Sequence, residues 1–114
     1  MSDPYRGDVW LVDLNPVRGH EQKDARPALV ISTDQFNTGP SGLVVIVPIT
    51  TKNRKLPLHV EIKPPEGGLT STSYIMCDQI RTVDKEERLL TRWDSVKPQT
   101  INEVENRIRL LLDI

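Results

Sequence analysis

Cysteine is nearly absent from this chain of 114 residues, which contains only Cys77. A single cysteine cannot form an intramolecular disulfide, and such usage is typical of proteins in a reducing cytosol. No apolar run reaches the roughly 18 residues that a membrane-spanning helix needs. Residues 1–6 (MSDPYR) also lack the apolar core of a signal peptide. We therefore expect a cytoplasmic protein that does not contact membranes.

The chain also has no excess of charge of one sign and few aromatic side chains. The formal net charge is −1, so a nucleic-acid site would have to be a local basic patch. Aromatic residues make up 4% of the chain, which argues against a long platform for stacked bases. The length predicts a single domain with a small core, and association with a second copy would add buried surface.

The motifs of several enzyme classes are not found. There is no glycine-rich phosphate loop, no Cys/His set with zinc spacing and no pair of acidic clusters suited to two metals. No serine lies in a nucleophile elbow. Cys77 precedes the anionic Asp78, which would raise the pKa of the thiol, so it is interpreted as a core residue. The sequence predicts neither a metal nor a cofactor.

Most of the chain has the pattern of short β-strands separated by turns. Apolar segments recur at intervals of roughly 8–12 residues, which favours a small barrel or sandwich. Segment 43–47 is apolar throughout and predicts a strand that is buried on both faces. Segment 58–62 alternates between apolar and polar residues and predicts a strand with one solvent-exposed face. The predicted strands are 9–12, 28–31, 43–47, 58–62 and the region 73–82.

Two segments favour helices. Thr33 can cap a short helical turn over 33–37, and Pro98 suits the first position of a longer helix. Apolar residues then recur at spacings of three and four, which predicts a C-terminal helix with one face packed on the sheet. That face consists of Ile101, Val104, Ile108, Leu111 and Leu112. Residues 64–68 (PPEGG) are interpreted as a loop.

One group of candidate catalytic residues lies just before the second predicted strand. His20 titrates near neutrality, Glu21 can act as a base, and Arg26 is a permanent cation that grips phosphate through a planar fork. Metal-free phosphodiester chemistry needs these three kinds of group. The alternative is an ordinary solvated loop that leads into a strand.

A basic segment follows the third predicted strand. It runs from Pro48 to Lys55 (PITTKNRK), starts as a buried strand and ends as a basic loop with two hydroxyl groups. Either it is a charged hairpin tip, or Lys52, Arg54 and Lys55 hold phosphates while Thr50 donates from a rigid strand end.

A third polar group, Asp78 and Gln79, interrupts an apolar region. Its side chains could form a bulge that bonds to the backbone. Alternatively, the Gln79 amide could read the edge of a base, because it both donates and accepts hydrogen bonds.

Five segments resemble the MazF/PemK (Kid) family of toxin endoribonucleases, in the order expected for that family. They are residues 6–10 (RGDVW), 19–22 (GHEQ), 26–30 (RPALV), 47–50 (VPIT) and 77–82 (CDQIRT). The resemblance implies a mainly β fold: an SH3-like small β-barrel with a short helix after the second main strand and a C-terminal helix. Residues 1–114 would form a single toxin domain.

The resemblance also implies an activity and partners. Family members form homodimers and cut single-stranded RNA at short sequences without a metal. The 2′-hydroxyl attacks the neighbouring phosphate, leaving 2′,3′-cyclic phosphate and 5′-hydroxyl ends. Cleavage of messenger RNA inhibits translation and growth, and a cognate antitoxin blocks the RNA groove.

Site residues follow from the same resemblance. The catalytic arginine of the family corresponds to Arg26, its catalytic threonine to Thr50 and its loop glutamate to Glu21. His20 and Asp78 are further catalytic candidates; an arginine found in the Kid branch is replaced here by Met76, so its role does not carry over. Expected RNA contacts are Gln22, Lys23, Thr51, Lys52, Asn53, Arg54, Lys55 and Gln79, with Asn37 as a further base reader.

Two other functions remain open on the sequence alone. A related toxin family with the same barrel poisons gyrase, which requires a protein-binding surface rather than a nuclease site. A catalytically inactive barrel that only binds RNA is the other alternative. The pairing of Arg26 with Thr50 favours the nuclease.

Overall fold

The computed structural model describes residues 3–14 and 25–114. Within these ranges, no helix is long and apolar enough to cross a membrane. The described elements are seven strands, β1 to β7, three α-helices, α1 to α3, and a short 3₁₀ turn over Glu66–Gly68. The strands are Asp8–Asp13, Ala25–Val30, Leu43–Thr50, His59–Ile62, Ser73–Met76, Arg81–Asp84 and Leu89–Ser95; the helices are Asp34–Asn37, Lys85–Arg88 and Pro98–Leu112.

The strands form one antiparallel sheet with the order β4-β5-β3-β2-β1-β7. The long strand β3 organises it, because its first half pairs with β6 and its last residues pair with β5. The terminal strands β4 and β7 do not pair with one another along this path, so the barrel is open. The mainly β prediction is confirmed, as are the helices after the second strand and at the C-terminus.

Apolar side chains on alternate residues of the strands form two clusters, as expected for a curved sheet that buries both of its faces. The first cluster includes Leu29, Val47, Ile75 and Val104 of α3. The second includes Trp10, Ala28 and Ile46 on the opposite side of the same strands. The central strands therefore have no freely solvated face, and their ends are the places where polar side chains can reach solvent.

The strand β7 and the helix α2 were not predicted from the sequence. Of the seven residues of β7, only Leu89 is buried, so the strand lacks the alternation that marks a half-buried strand. It lies at the edge of the sheet and pairs with β1. The helix α2 is a single turn capped by Asp84, whose side chain accepts hydrogen bonds from the N–H groups of Glu86 and Glu87.

The packed face of α3 is shorter than its sequence pattern indicates. Val104 is buried, and Ile101 and Ile108 pack against the first cluster. The prediction was wrong for Leu111 and Leu112, which are 40% and 52% exposed. Periodicity specifies which side of a helix is apolar, but it carries no information on how far along the helix the covering surface extends.

The segment interpreted as a loop, residues 64–68, caps α3. Lys97, the residue before the helix, provides no side-chain cap. Instead, the carboxylate of Glu66 accepts hydrogen bonds from the N–H of Lys97, at 2.9 Å, and from the hydroxyl of Thr100. A carboxylate at this end of a helix also interacts favourably with the helix dipole. Gly67 adopts a φ of +68°, and a Cβ there would lie 2.9 Å from Cγ2 of Val9.

We expect Glu66→Ala to destabilise the protein by about 1–2 kcal/mol, because α3 would lose its capping acceptor and a favourable charge. Thermal unfolding followed by circular dichroism measures the effect. Glu66→Gln is the matched control: it keeps an acceptor and loses only the charge, so its loss should be smaller. An unchanged melting temperature for the alanine variant would contradict the assignment.

Candidate active site

The register of the sheet brings Arg26 and Thr50 together. Strands β2 and β3 are antiparallel, with Ala28 opposite Pro48. Continuing this register by two residues sets Arg26 beside Thr50, and side chains two residues apart on a strand point to the same face. Tyr74 of β5 lies on the other side of Thr50. A strand arginine and a strand threonine, distant in sequence, thus become neighbours.

Both side chains line an open cleft of about 340 Å³ at this end of the sheet. Two more cationic side chains, those of Lys52 and Arg54, line it as well, and none of its described lining residues is acidic. The cleft therefore presents positive charge and hydroxyl groups, a combination suited to a phosphate group. Its described lining consists of Arg26, Pro27, Ile49, Thr50, Thr51, Lys52, Arg54 and Ser73.

Thr50 is held rigidly. It is the last residue of β3 and only 8% exposed. Its Oγ1 accepts a hydrogen bond from the N–H of Lys52 at 3.1 Å, which leaves the hydroxyl hydrogen available for donation. A donor fixed by the sheet and by its own loop loses little freedom when it binds an anion.

Arg26 lies near the start of β2, where its side chain is exposed. None of the described residues forms a hydrogen bond or an ion pair with its guanidinium. Its guanidinium is thus not neutralised by any carboxylate of 3–14 or 25–114. A permanent cation in this situation can make two parallel hydrogen bonds to a phosphate.

The basic loop after β3 is exposed from Thr51 to Lys55. The carbonyl oxygen of the Asn53 side chain accepts a hydrogen bond from the N–H of Lys55 at 2.9 Å, so its amide group is what remains for a ligand. Thr51, Lys52 and Arg54 line the cleft, whereas Asn53 and Lys55 lie outside its lining.

Asp78 and Gln79 lie in the turn after β5 and are not among the described residues that line the cleft. This turn is closed by a hydrogen bond from the N–H of Gln79 to the carbonyl of Met76 at 3.0 Å, so the polar pair belongs to a turn rather than a bulge. Both residues are exposed. The carboxylate of Asp78 lies 3.1 Å from Nε2 of His59.

Cys77 is fully buried in the first apolar cluster, as predicted. Burial raises the pKa of its thiol to about 12, and the negative charge of Asp78 adds to this, although Arg107 acts in the opposite direction. The thiol is therefore neutral near pH 7 and lacks the thiolate form that a nucleophile needs.

Several predicted site residues fall elsewhere. His20, Glu21, Gln22 and Lys23 lie outside the described residues. The prediction that Asn37 reads a base was wrong: it is fully buried, and its side-chain amide donates to the carbonyl of Ser32 at 3.1 Å. A buried amide whose hydrogen bonds fix its own loop cannot meet a base edge.

Sequence reasoning missed two residues near these groups. Ser73 lines the cleft although it is only 2% exposed. As a polar residue of the alternating segment 58–62, His59 falls on the predicted wet face, yet its side chain is 3% exposed. The alternating pattern of the strand assigns the side chain of His59 to one face of the sheet. It does not tell whether another segment covers that face. Among the described side chains, no three His, Cys, Asp or Glu residues form a group that could hold a metal.

Comparison with known proteins gives consistent matches along nearly the whole chain. A family model described as "PemK-like, MazF-like toxin of type II toxin-antitoxin system" matches residues 5–112. Endoribonuclease EndoA of Bacillus subtilis (strain 168) is 37% identical over 108 residues, which cover 94% of this chain and 92% of that protein.

Solved structures agree with the sequence comparison. The crystal structure of MazF from Deinococcus radiodurans has a TM-score of 0.82 at 26% identity and covers all of both chains. An endoribonuclease from a mycobacterial species, solved in complex with its cognate antitoxin, has a TM-score of 0.77 at 29% identity and covers 100% of this chain and 97% of that one. The resemblance noted in the sequence is confirmed: the chain belongs to the PemK-like, MazF-like toxin family of type II toxin–antitoxin systems.

Proposed function

We propose that this protein is a toxin endoribonuclease that cuts single-stranded RNA at specific short sequences without a metal. The attacking group is the 2′-hydroxyl of the RNA, and the products carry 2′,3′-cyclic phosphate and 5′-hydroxyl ends. EndoA and the mycobacterial relative are named endoribonucleases, which supports the substrate class.

The observation that carries the proposal is the pairing of Arg26 and Thr50 in one cleft. Two further cations, Lys52 and Arg54, surround them, and the described lining has no acidic residue. Such a site attracts an anion and has groups that can stabilise additional negative charge on it. A surface that only binds a protein does not require this concentration of unneutralised charge around a fixed hydroxyl.

The roles of the two residues follow from the charge that develops during the reaction. Attack by the 2′-hydroxyl places extra negative charge on the non-bridging oxygens of the phosphorus. Arg26 is the clamp for these oxygens, because its guanidinium is a permanent cation and therefore a poor base at neutral pH. Thr50 donates to one non-bridging oxygen and fixes the phosphate for in-line attack.

The proton of the 2′-hydroxyl needs a different acceptor. Glu21 is our first choice and His20 our second, since both are close to Arg26 in sequence and neither is a permanent cation. The departing 5′ oxygen takes up a proton.

The remaining predicted site residues bind the RNA. Salt-dependent contacts to phosphates come from Lys23, Lys52, Arg54 and Lys55, and polar contacts come from Gln22, Thr51, Asn53 and Gln79.

The proposal extends to partners. A relative of this chain is solved with its cognate antitoxin. We propose that an antitoxin also binds this chain and blocks the cleft, and that residues 1–114 form one toxin domain that acts as a homodimer. Its RNA substrate places its action in the cytoplasm. Exposed apolar side chains at the end of α3, including Leu110 and Ile114, support association with a second copy.

Incubation of the purified protein with a long single-stranded RNA in excess EDTA tests the function. We expect discrete fragments whose newly formed 3′ ends resist phosphatase until the cyclic phosphate is opened. Intact RNA together with inhibited gyrase would instead support a gyrase poison. RNA that is bound but intact would support a non-catalytic RNA-binding barrel.

A further inference from the structure

His59 occupies an unusual position for a strand histidine. It lies on β4, and its side chain is 3% exposed. Its Nε2 is 3.1 Å from Oδ1 of Asp78, whose side chain is 31% exposed. Its other ring nitrogen, Nδ1, is buried and has no hydrogen-bond partner among the described residues.

The tautomer of His59 follows from this pairing. An ionised carboxylate only accepts hydrogen bonds, so Nε2 carries the hydrogen that Asp78 accepts. Nδ1 is then a buried atom whose hydrogen-bonding capacity is not used, which lowers the stability of the fold. The imidazole is therefore poorly explained as a packing group. Its one polar contact within 3–14 and 25–114 is the carboxylate of Asp78, which it holds at the surface.

The His59–Asp78 pair lies on the same face of the sheet as the cleft. Thr50 is opposite Tyr74, and Met76, two residues further along β5, is opposite His59. Two residues of a strand span roughly 7 Å. Arg54 connects the two places, because it lines the cleft and its Nη1 lies 3.6 Å from Sδ of Met76. RNA held in the cleft can therefore reach Asp78 with a neighbouring base.

We propose that Asp78, oriented by His59, selects an RNA base that carries an exocyclic amino group and rejects uracil at that position. This inference rests on the proposed endoribonuclease function and assigns Asp78 to specificity rather than proton transfer. The carboxylate can only accept, and Oδ2 has no described partner. Adenine, cytosine and guanine each offer an exocyclic amino group, whereas uracil has none. The single N–H on the pairing edge of uracil, at N3, lies between the carbonyl oxygens O2 and O4, which repel a carboxylate.

The location of Asp78 also argues against a catalytic role. It is not among the described residues that line the cleft with Arg26 and Thr50. Single-stranded RNA is usually read through splayed bases whose edges bond to side chains beside the backbone site. In Asp78, Oδ1 is held by His59, and Oδ2 is available to accept a hydrogen bond from a base. This arrangement suits recognition of a base edge.

The test compares the cut sites of four proteins on a pool of random single-stranded RNA. Wild type should disfavour uracil at one position near the cut by roughly 10- to 100-fold. Asp78→Asn should lose this preference, because an amide can donate to O4 of uracil. His59→Leu should weaken the preference while its melting temperature stays equal or rises. Glu86→Gln is the control, because it removes one negative charge at an exposed position of α2. This variant should keep the wild-type preference at every position near the cut.

The outcomes separate this inference from the function on which it rests. If the wild-type protein cuts no RNA, the proposed function fails and this inference fails with it. If wild type cuts and Asp78→Asn cuts the same sequences more slowly, Asp78 acts in catalysis and only the inference is overturned. If His59→Leu lowers the melting temperature and keeps the preference, His59 is a structural residue and not a positioning residue.

Discussion

Replacing Arg26 by alanine is expected to lower kcat/KM for RNA cleavage by roughly two to three orders of magnitude. The guanidinium is exposed and has no partner among the described residues, so it can bind the phosphate without first breaking an interaction there. Its removal takes away the charge that stabilises the phosphorane. Single-turnover cleavage of a short RNA that contains one cut site measures the loss.

The fold should tolerate this change, because Arg26 lies outside both apolar clusters. We expect an unchanged melting temperature and little change in affinity for an RNA whose 2′-hydroxyl is replaced by hydrogen at the cut. Arg26→Lys is the matched control: it keeps the charge but loses the planar fork, so its rate should be intermediate. Near-normal cutting by the alanine variant would show that Arg26 is not the clamp.

Thr50→Val is expected to lower kcat by about 10- to 100-fold, the effect of losing one hydrogen bond to a charged group. Valine has nearly the same shape, but it removes the hydroxyl that donates to the phosphate. It also removes the acceptor for the N–H of Lys52, so the basic loop loses one of its anchors. Rate and affinity should both fall, since the loop carries Lys52 and Arg54 into the cleft.

Thr50→Ser separates these effects from simple packing, because serine keeps the hydroxyl and loses only a methyl group. It should retain most of the activity, even though the deleted methyl at this nearly buried position costs some stability. If the serine and valine variants were equally impaired, the hydroxyl would not be the important group and Thr50 would act only through packing.

The sequence predicts the central part of the fold better than its edges. Strand β3 is continuously apolar because both of its faces are covered, and such a run is easy to recognise. Strand β7 cannot be recognised from the sequence, because six of its seven residues are exposed and the strand lacks an alternating apolar pattern. Its place in the sheet follows from pairing with β1, a long-range contact that no local pattern encodes.

The candidate site shows the same division. Arg26 and Thr50 could be named from their residue types and the family resemblance, but only the register of β2 and β3 accounts for their meeting. Asn37 has the composition of a recognition residue, and burial excludes it. His59 has the pattern of a surface residue, and the turn that carries Asp78 gives it a partner. The spacing of residues in the sequence does not predict that the turn after β5 packs beside His59 of β4.

The pairing of β1 with β7 has a kinetic consequence. Residues lining the cleft lie between Arg26 and Ser73, whereas the pairing partners Asp8 and Ser95 are nearly at opposite ends of the sheet-forming sequence. Contacts of such long range form slowly, because the chain must first close a large loop. A nascent chain can contain every cleft residue while β1 still lacks its outer partner and the second apolar cluster still lacks Leu89. Catalytic competence is therefore expected late in synthesis, when the last strand becomes available to complete the sheet.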